Sequence, residues 1–534
     1  QQQTMANSAD VFDTGIEAAS EWRKLSQIQD GDPLFASIPA ASAHLGCQQG
    51  QHGDCYIIAA MALIASKPVL TKAIVREAGA SAKSGTRRFV VRLAREGAWR
   101  EVEVDENVPI TLSGTPFFAR GMGQLWPSLV EKGFARAMGS YSALDGGNTS
   151  EALYECTGCA VLDLKLDGLG GDELRKTVEA HLASGDLVAV GRIDGGAGFG
   201  ANISAKAKGG RAAKPAALKA NHAFAVVGSR KGEVDLYDPT GHNEGFDGRT
   251  DGHGTASVSW ASLGATFNRL QVCLVSSVGA LPHATCVRGT WVPSEGASVG
   301  SAGGSTNFST FRTNPMIKLA LPAAATSGGA REVQLLLGTA DRRAACRAAG
   351  QPLSYPPIGV TIIALKPGAE WPCATPERYT VVAKTASFWN KREVALRCTL
   401  PALDGACQLY AVPSTFAPDV RSDWWLELRT AAPPPEPPAL RSLADEWALA
   451  SWEGALGADR TPTGEHHHIH VALPAAAAAA AAASGSPSDG GGMLEVVAFL
   501  QQHTEAPADA AAAPTLKLEP IGLAMLPLAT GEAA

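Results

Sequence analysis

Cys55 stands at the head of an apolar run, Ile57-Ile58-Ala59-Ala60-Met61-Ala62-Leu63-Ile64, directly behind the turn-forming stretch Gln49-Gly50-Gln51-His52-Gly53-Asp54. A thiol attacks only as thiolate, and the first turn of a helix favours that anion through its free N–H groups and dipole. Gln49, six residues upstream, can reach back and donate its side-chain amide to an oxyanion. These residue types in this order propose acyl transfer through a cysteine. By itself, a cysteine before an apolar helix is usually a small buried hydrophobe. The chemistry therefore requires a base and an orienting residue elsewhere in the chain.

His222 is the candidate base. It lies 167 residues after Cys55, at the start of the strand-like run Ala223-Phe224-Ala225-Val226-Val227. A second such run, Glu233-Val234-Asp235-Leu236-Tyr237, leads into Asp238-Pro239-Thr240-Gly241. Ser229-Arg230-Lys231-Gly232 between them has the composition of a hairpin turn. Pairing the two strands sets His222 and Asp238 near each other at one end. Asp238 would then hold the imidazole so that it faces the thiol. A cysteine followed more than a hundred residues later by histidine and orienter is the order of papain-type enzymes.

The elements around these residues follow from periodicity. Residues 55–66 and about 124–139 are expected as helices, the second from Leu125, Leu129, Val130 and Phe134 at helical spacing. Residues 88–93 and 100–104 are expected as strands, and a short helix is expected around 21–25 within a lead-in arm. The Gly- and Lys-rich stretch near 194–216 reads as an exposed loop. After residue 285 helical periodicity disappears, and short β-rich runs alternate with Gly/Pro/Ser turns, as in a β-sandwich. Pro433-Pro434-Pro435-Glu436-Pro437-Pro438 reads as a stiff linker. Beyond it, Ile469-His470-Val471-Ala472-Leu473-Pro474 repeats Ile317-Lys318-Leu319-Ala320-Leu321-Pro322, and Pro520-Ile521-Gly522-Leu523 echoes Pro357-Ile358-Gly359-Val360. The tail is therefore read as a second sandwich cut short, against the alternative of a low-complexity tail.

At 534 residues the chain has room for roughly three to four domains. Its net charge of −7 gives no reason to expect nucleic acid or an anionic membrane as partner. It has no apolar run of about 18 residues. The first residues lack the basic and apolar regions of a signal peptide. They also lack an initiator methionine, as expected of a fragment or a processed product. Ten scattered cysteines suit a reducing, cytoplasmic setting. Cys156-Thr157-Gly158-Cys159 is read as two core cysteines, because no second ligand pair accompanies it. Of the cluster His466, His467, His468 and His470, alternation puts 466, 468 and 470 on one face. No cysteine or carboxylate pattern supports a metal there.

The motifs together resemble the calpain family of cytosolic cysteine endopeptidases. Residues 49–56 are similar to the family's Q-G-x-L-G-D-C-W, with His52 for leucine and Tyr56 for tryptophan. Gln124 to Ala135 resembles F-W-x-x-L-x-E-K-A-Y-A, and Gly139 to Gly147 resembles G-S-Y-E-A-L-x-G-G. Asn221-His222-Ala223-Phe224 resembles G-H-A-Y. Gly289-Thr290-Trp291, Ser301-Ala302-Gly303-Gly304, Thr313-Asn314-Pro315 and Val412-Pro413-Ser414-Thr415-Phe416 resemble signatures of the family's sandwich.

The resemblance covers about residues 20–430 and implies an α+β fold. That fold is a two-lobed papain-like calpain protease core, a calpain-type β-sandwich (C2-like) domain and a second, partial β-sandwich. The implied boundaries are an arm over 1–40, a cysteine lobe over 41–160 and a histidine lobe over 161–278. The sandwich follows over 285–430, the linker over 431–443, and the partial sandwich or low-complexity tail over 444–534. Carried over by residue, Cys55 is the nucleophile and His222 the base, while Gln49 and the Cys55 N–H form the oxyanion hole. Asp238 stands where the family has asparagine, and Thr240 where it has tryptophan.

The implied activity is limited proteolysis of protein substrates, with the sandwich domains available for protein or lipid contacts. The alternative is a catalytically impaired scaffold that binds clients. The family is switched on by calcium, which needs six to eight oxygen ligands. Here Gly46 and Tyr154 fall at the first lobe's ligand positions by register. Glu244 and Asp251 fall near those of the second, where His253 and Thr255 replace its acidic stretch. The expectation is that no cofactor is required, with calcium doubtful.

Overall fold

The structure, a computed structural model, describes residues 21–441 apart from 30, 82–84, 167–168, 193–220, 231, 243–248, 296–299, 320, 322–330, 367–378, 401–407, 437 and 439. The chain is a mixed α/β protein with several sheets. No helix among the described residues is long and apolar enough to cross a membrane.

At the centre lies the helix Cys55–Ala65, buried along its whole length. A helix apolar on every side must be surrounded by protein, and this one is. The helices Trp126–Met138 and Thr149–Thr157 and the antiparallel sheet Val75–Ala80, Arg87–Arg95, Ala98–Asp105 contribute to the same core. A seven-stranded sheet closes the far side. Its order is Arg249–Thr250, Thr255–Ser259, Glu233–Tyr237, His222–Arg230, Leu187–Arg192, Arg269–Cys273, Val161–Lys165. Strand alternation divides its side chains between two cores. Ala223 and Ala225 join the core of the Cys55 helix, and their small size lets helix and strand approach closely. Phe224 and Val226 join a second core with Leu174, Val178 and Trp260.

Two further sheets face each other. One is ordered His283–Trp291, Ser422–Thr430, Arg331–Thr339, Glu393–Leu400, and the other Tyr379–Lys384, Ile358–Leu365, Leu409–Thr415, Met316–Lys318, Leu440–Arg441. Val333, Leu335 and Leu337 meet Ile358, Val360 and Ile362 between them. Leu336 and Trp425, on the outer face, pack instead into the core of the Cys55 helix.

Three sequence expectations are corrected. The helix expected around 21–25 is a strand, Trp22–Lys24, paired with Asn107–Pro109, followed by one helical turn, Leu25–Ile28. So short a segment cannot nucleate a helix alone, whereas a neighbouring strand supplies its backbone bonds. The linker segment is not only a linker: Leu440–Arg441 extends the five-stranded sheet on Met316–Ile317. A helix, Arg343–Ala348, also interrupts the β-rich half. Cys156 and Cys159 are buried, as expected of core cysteines. The 194–216 loop, the histidine cluster at 466–470 and the repeat beyond 444 lie outside the described residues.

Candidate active site

The helix opens at Cys55, which is 0% exposed. Its preceding turn is anchored from two sides. Gln51 N–H donates to the Phe117 carbonyl at 2.9 Å, and Gly146 N–H donates to the Gly53 carbonyl at 3.0 Å.

The hairpin register sets Ala225 opposite Tyr237, which carries His222 and Asp238 to one end. His222 Nε2 lies 2.8 Å from Asp238 Oδ1, and both residues are buried. An ionised carboxylate only accepts, so Nε2 carries the hydrogen. Cys55 is the other group that acts on the ring, and Nδ1 has no hydrogen-bond partner among the described residues. Thr240 donates to the same Asp238 oxygen twice, from its N–H at 2.9 Å and from its hydroxyl at 2.8 Å.

Burial alone would lower the His222 pKa. The Cys55 charge and the Asp238 hydrogen bond outweigh it and raise the value to about 9. Burial pushes Asp238 up, but the bonds from His222 and Thr240 win and hold it below the usual carboxylate range.

Gln49 is buried, and its side-chain amide donates to the His52 carbonyl within its own turn. The group has two N–H bonds, so one remains for an oxyanion. Its backbone N–H donates to the Pro239 carbonyl at 2.8 Å. That bond belongs to a row joining the two sides of the site. Tyr237 donates to the Cys47 carbonyl at 2.6 Å, Gln48 to the Thr240 carbonyl at 3.3 Å, and His44 Nε2 lies 3.1 Å from Thr255 Oγ1.

Sequence reasoning missed three features here. Thr240 was noted only as a lost tryptophan, yet it fixes the orienting carboxylate. Asp54 sits at the N-cap of the Cys55 helix without capping it. Its buried carboxyl instead acts on that of Glu131, whose pKa rises well above the usual range through burial first and then the Asp54 charge. Glu131 thus keeps its proton beside Asp54. Glu131→Ala should therefore cost about 2 kcal/mol through the unpaired Asp54, and Glu131→Gln, which keeps a donor, clearly less. Urea midpoints that fall equally for the two variants would exclude a protonated Glu131 beside Asp54. The third feature is Arg343, from the sandwich, whose guanidinium lies over the Tyr56 ring. A glutamate five residues after Trp126 and an arginine in a helix leave no sign of burial in sequence.

The residues at the first expected calcium position do not fit calcium. Tyr154 stacks on Trp425, with ring centres 5.6 Å apart, and accepts a hydrogen bond from Gly97 N–H. Gly46 faces Gln124 instead. Its carbonyl accepts from Gln124 Nε2 at 3.4 Å, and a Cβ on Gly46 would lie 2.3 Å from that nitrogen. A hydrogen-bond donor thus points where oxygen ligands would have to converge. At the second position, Asp251 Oδ1 accepts from His253 N–H at 2.7 Å and Thr255 N–H at 2.9 Å, while Glu244 lies outside the described residues. Among the described residues, no three His, Cys, Asp or Glu side chains group as a metal site.

The family model of the calpain family cysteine protease matches residues 5–245, and that of calpain large subunit domain III matches residues 287–428. The chain belongs to the calpain family. Calpain-9 of Homo sapiens is 24% identical over 79% of this chain and 63% of its own length. Calpain clp-4 of Caenorhabditis elegans is 25% identical over 74% of this chain and 60% of its own. Calpain-13 of Rattus norvegicus is 31% identical over 32% of this chain and 25% of its own. The chain thus spans less than two thirds of the length of these curated relatives. The first match includes Cys55 and His222, and the second includes most strands of the two facing sheets.

Proposed function

We propose that this calpain-family chain is a cysteine endopeptidase that makes limited cuts in protein substrates, its cysteine and histidine sides forming the two lobes of a papain-like cleft. The observation that carries this reading is the buried imidazole of His222, bonded to Asp238 on one side and subject to Cys55 as well. In this mechanism Cys55 thiolate attacks the scissile carbonyl carbon. The oxyanion takes hydrogen bonds from the free amide N–H of Gln49 and the backbone N–H of Cys55. His222 imidazolium gives its proton to the departing amine, leaving a thioester on Cys55. Neutral His222 then takes a proton from water, which attacks the thioester and releases the acid and the thiolate.

The same proposal includes independence from calcium. Its support is the row of bonds from residues 44–49 to residues 237–255, and the amide of Gln124 set against Gly46. It also includes a cytoplasmic setting, in keeping with the free thiol state of every described cysteine. The facing sheets would serve protein or lipid contacts.

The test is casein cleavage by the full chain in excess calcium and in EGTA, beside Cys55→Ala. Equal cleavage in both buffers, lost on substitution, is the expected result. Cleavage only with calcium would remove the calcium-independent part. No cleavage by folded wild-type protein would leave the client-binding scaffold as the better reading.

A further inference from the structure

One side chain of the β-sandwich half reaches the residue next to the nucleophile. Arg343 begins the helix Arg343–Ala348, between the strands Arg331–Thr339 and Ile358–Leu365, and Asp341 accepts its backbone N–H at 2.9 Å. Its side chain is buried against the cysteine side of the core. Nη1 donates to the Gly146 carbonyl at 2.9 Å, and Nη2 donates to Glu151 at 3.2 Å. The guanidinium carbon lies 5.7 Å from the centre of the Tyr56 ring.

These contacts bracket Cys55. Tyr56 is its neighbour on one side. On the other, the Gly146 residue held by Arg343 donates its own N–H to the Gly53 carbonyl at 3.0 Å. The fit depends on Gly147, where a Cβ would come within 2.4 Å of Tyr56 Cζ and 2.8 Å of Arg343 Nη2. The neighbouring loop is tied by the same helix, since Arg347 donates to Ser140 at 2.8 Å and also to Ser142. Neutralising Glu151 would need only a charge. A planar fork aimed at a carbonyl and laid over a ring fixes position as well, which a lysine cannot reproduce. A nucleophile displaced by about 1 Å can lose a hundredfold in rate.

We propose that Arg343 is a positioning residue for the nucleophile: from the sandwich, its guanidinium clamps the Gly53–Tyr56 segment so that Cys55 stays against His222. This rests on the cysteine-protease reading above. The test uses the full chain as wild type, Arg343→Lys and Arg343→Met, well below their melting temperatures. The kcat and KM on casein are measured, together with the rate of iodoacetamide alkylation at Cys55, followed by peptide mass spectrometry from pH 5 to 10.

Arg343→Lys keeps a charge opposite Glu151 and is expected to fold. Its kcat should fall about tenfold at unchanged KM, and Cys55 alkylation should slow by a similar factor. Arg343→Met should lose more. Unchanged kcat and alkylation in a folded Arg343→Lys would overturn the proposal and leave Arg343 as a structural bolt, even with a lowered melting temperature. Should Arg343→Met fail to fold, the lysine variant decides alone. Should wild type fail to cleave casein, the proteolytic reading falls, and the alkylation rates still decide the role of Arg343.

Discussion

Asp238→Ala is expected to lower kcat/KM on casein about 10³-fold, within the range of positioned acid–base catalysis. Asp238 supplies two things to His222. Its Oδ1 fixes the ring through Nε2, and its charge favours the imidazolium that would protonate the leaving amine in the proposed mechanism. The second contribution has its own signature. With the His222 pKa near 9, the alkaline limb of activity should lie near pH 9 in the wild type. Removing Asp238 should move that limb downward, because burial, which lowers the pKa, is then less opposed. Asp238→Asn restores an acceptor for Nε2 without the charge. It should recover most of the rate at pH 6 while keeping the lowered limb. A pH profile of Asp238→Ala identical in shape to wild type would show that the carboxylate is not coupled to the catalytic imidazole.

The same linkage acts on stability. His222 is raised in the folded state above its unfolded value of 6.5. Its contribution is therefore complete below about pH 6.5 and is lost as pH rises through about 9. Asp238 is lowered below 3.8, so its contribution is present above that pH and is lost as pH falls through the folded value.

Arg392→Ala is expected to destabilise the protein by about 3–5 kcal/mol, the cost of leaving buried charges without their partner. Arg392 is fully buried where the sandwich meets the cysteine side. It lies 2.6 Å from Glu155 and 3.5 Å from Asp341, and its Nε bonds Glu393. Arg95 joins Asp341 from the opposite side. Burial drives the Glu393 pKa up to about 8, with Arg392 opposing. That raised value makes its contribution complete below pH 4.5 and lost as pH rises through about 8. Arg397→Ala provides the comparison. Its pair with Glu332 is partly exposed and should be worth under about 1 kcal/mol. Urea unfolding of the two variants decides. Midpoint shifts of equal size would mean that the Arg392 cluster is no more than a surface pair.

Much of the site is legible because it is local. The Cys55 helix follows from an apolar run behind a glycine turn. His222 and Asp238 converge because one hairpin joins their strands. The order of cysteine, histidine and orienter, with the motifs that resemble the calpain family, carries the family and the proposed chemistry without coordinates. What sequence could not supply are contacts between distant segments, and charged side chains that are buried against expectation. Register puts Gly46 and Tyr154 at the first lobe's ligand positions, but it could not show that Tyr154 stacks on Trp425 or that Gln124 donates to the Gly46 carbonyl. Arginines and glutamates read as solvated unless paired, so Arg343, Arg392, Glu131 and Glu155 gave no signal of interior positions. The bonds from residues 44–49 to 237–255 depend on how two sides of a core meet, which no local pattern encodes. Local periodicity determined the helix and hairpin that bear the reactive groups. The tertiary structure alone decided how they are held together, because burial lets distant charges and backbone groups satisfy one another.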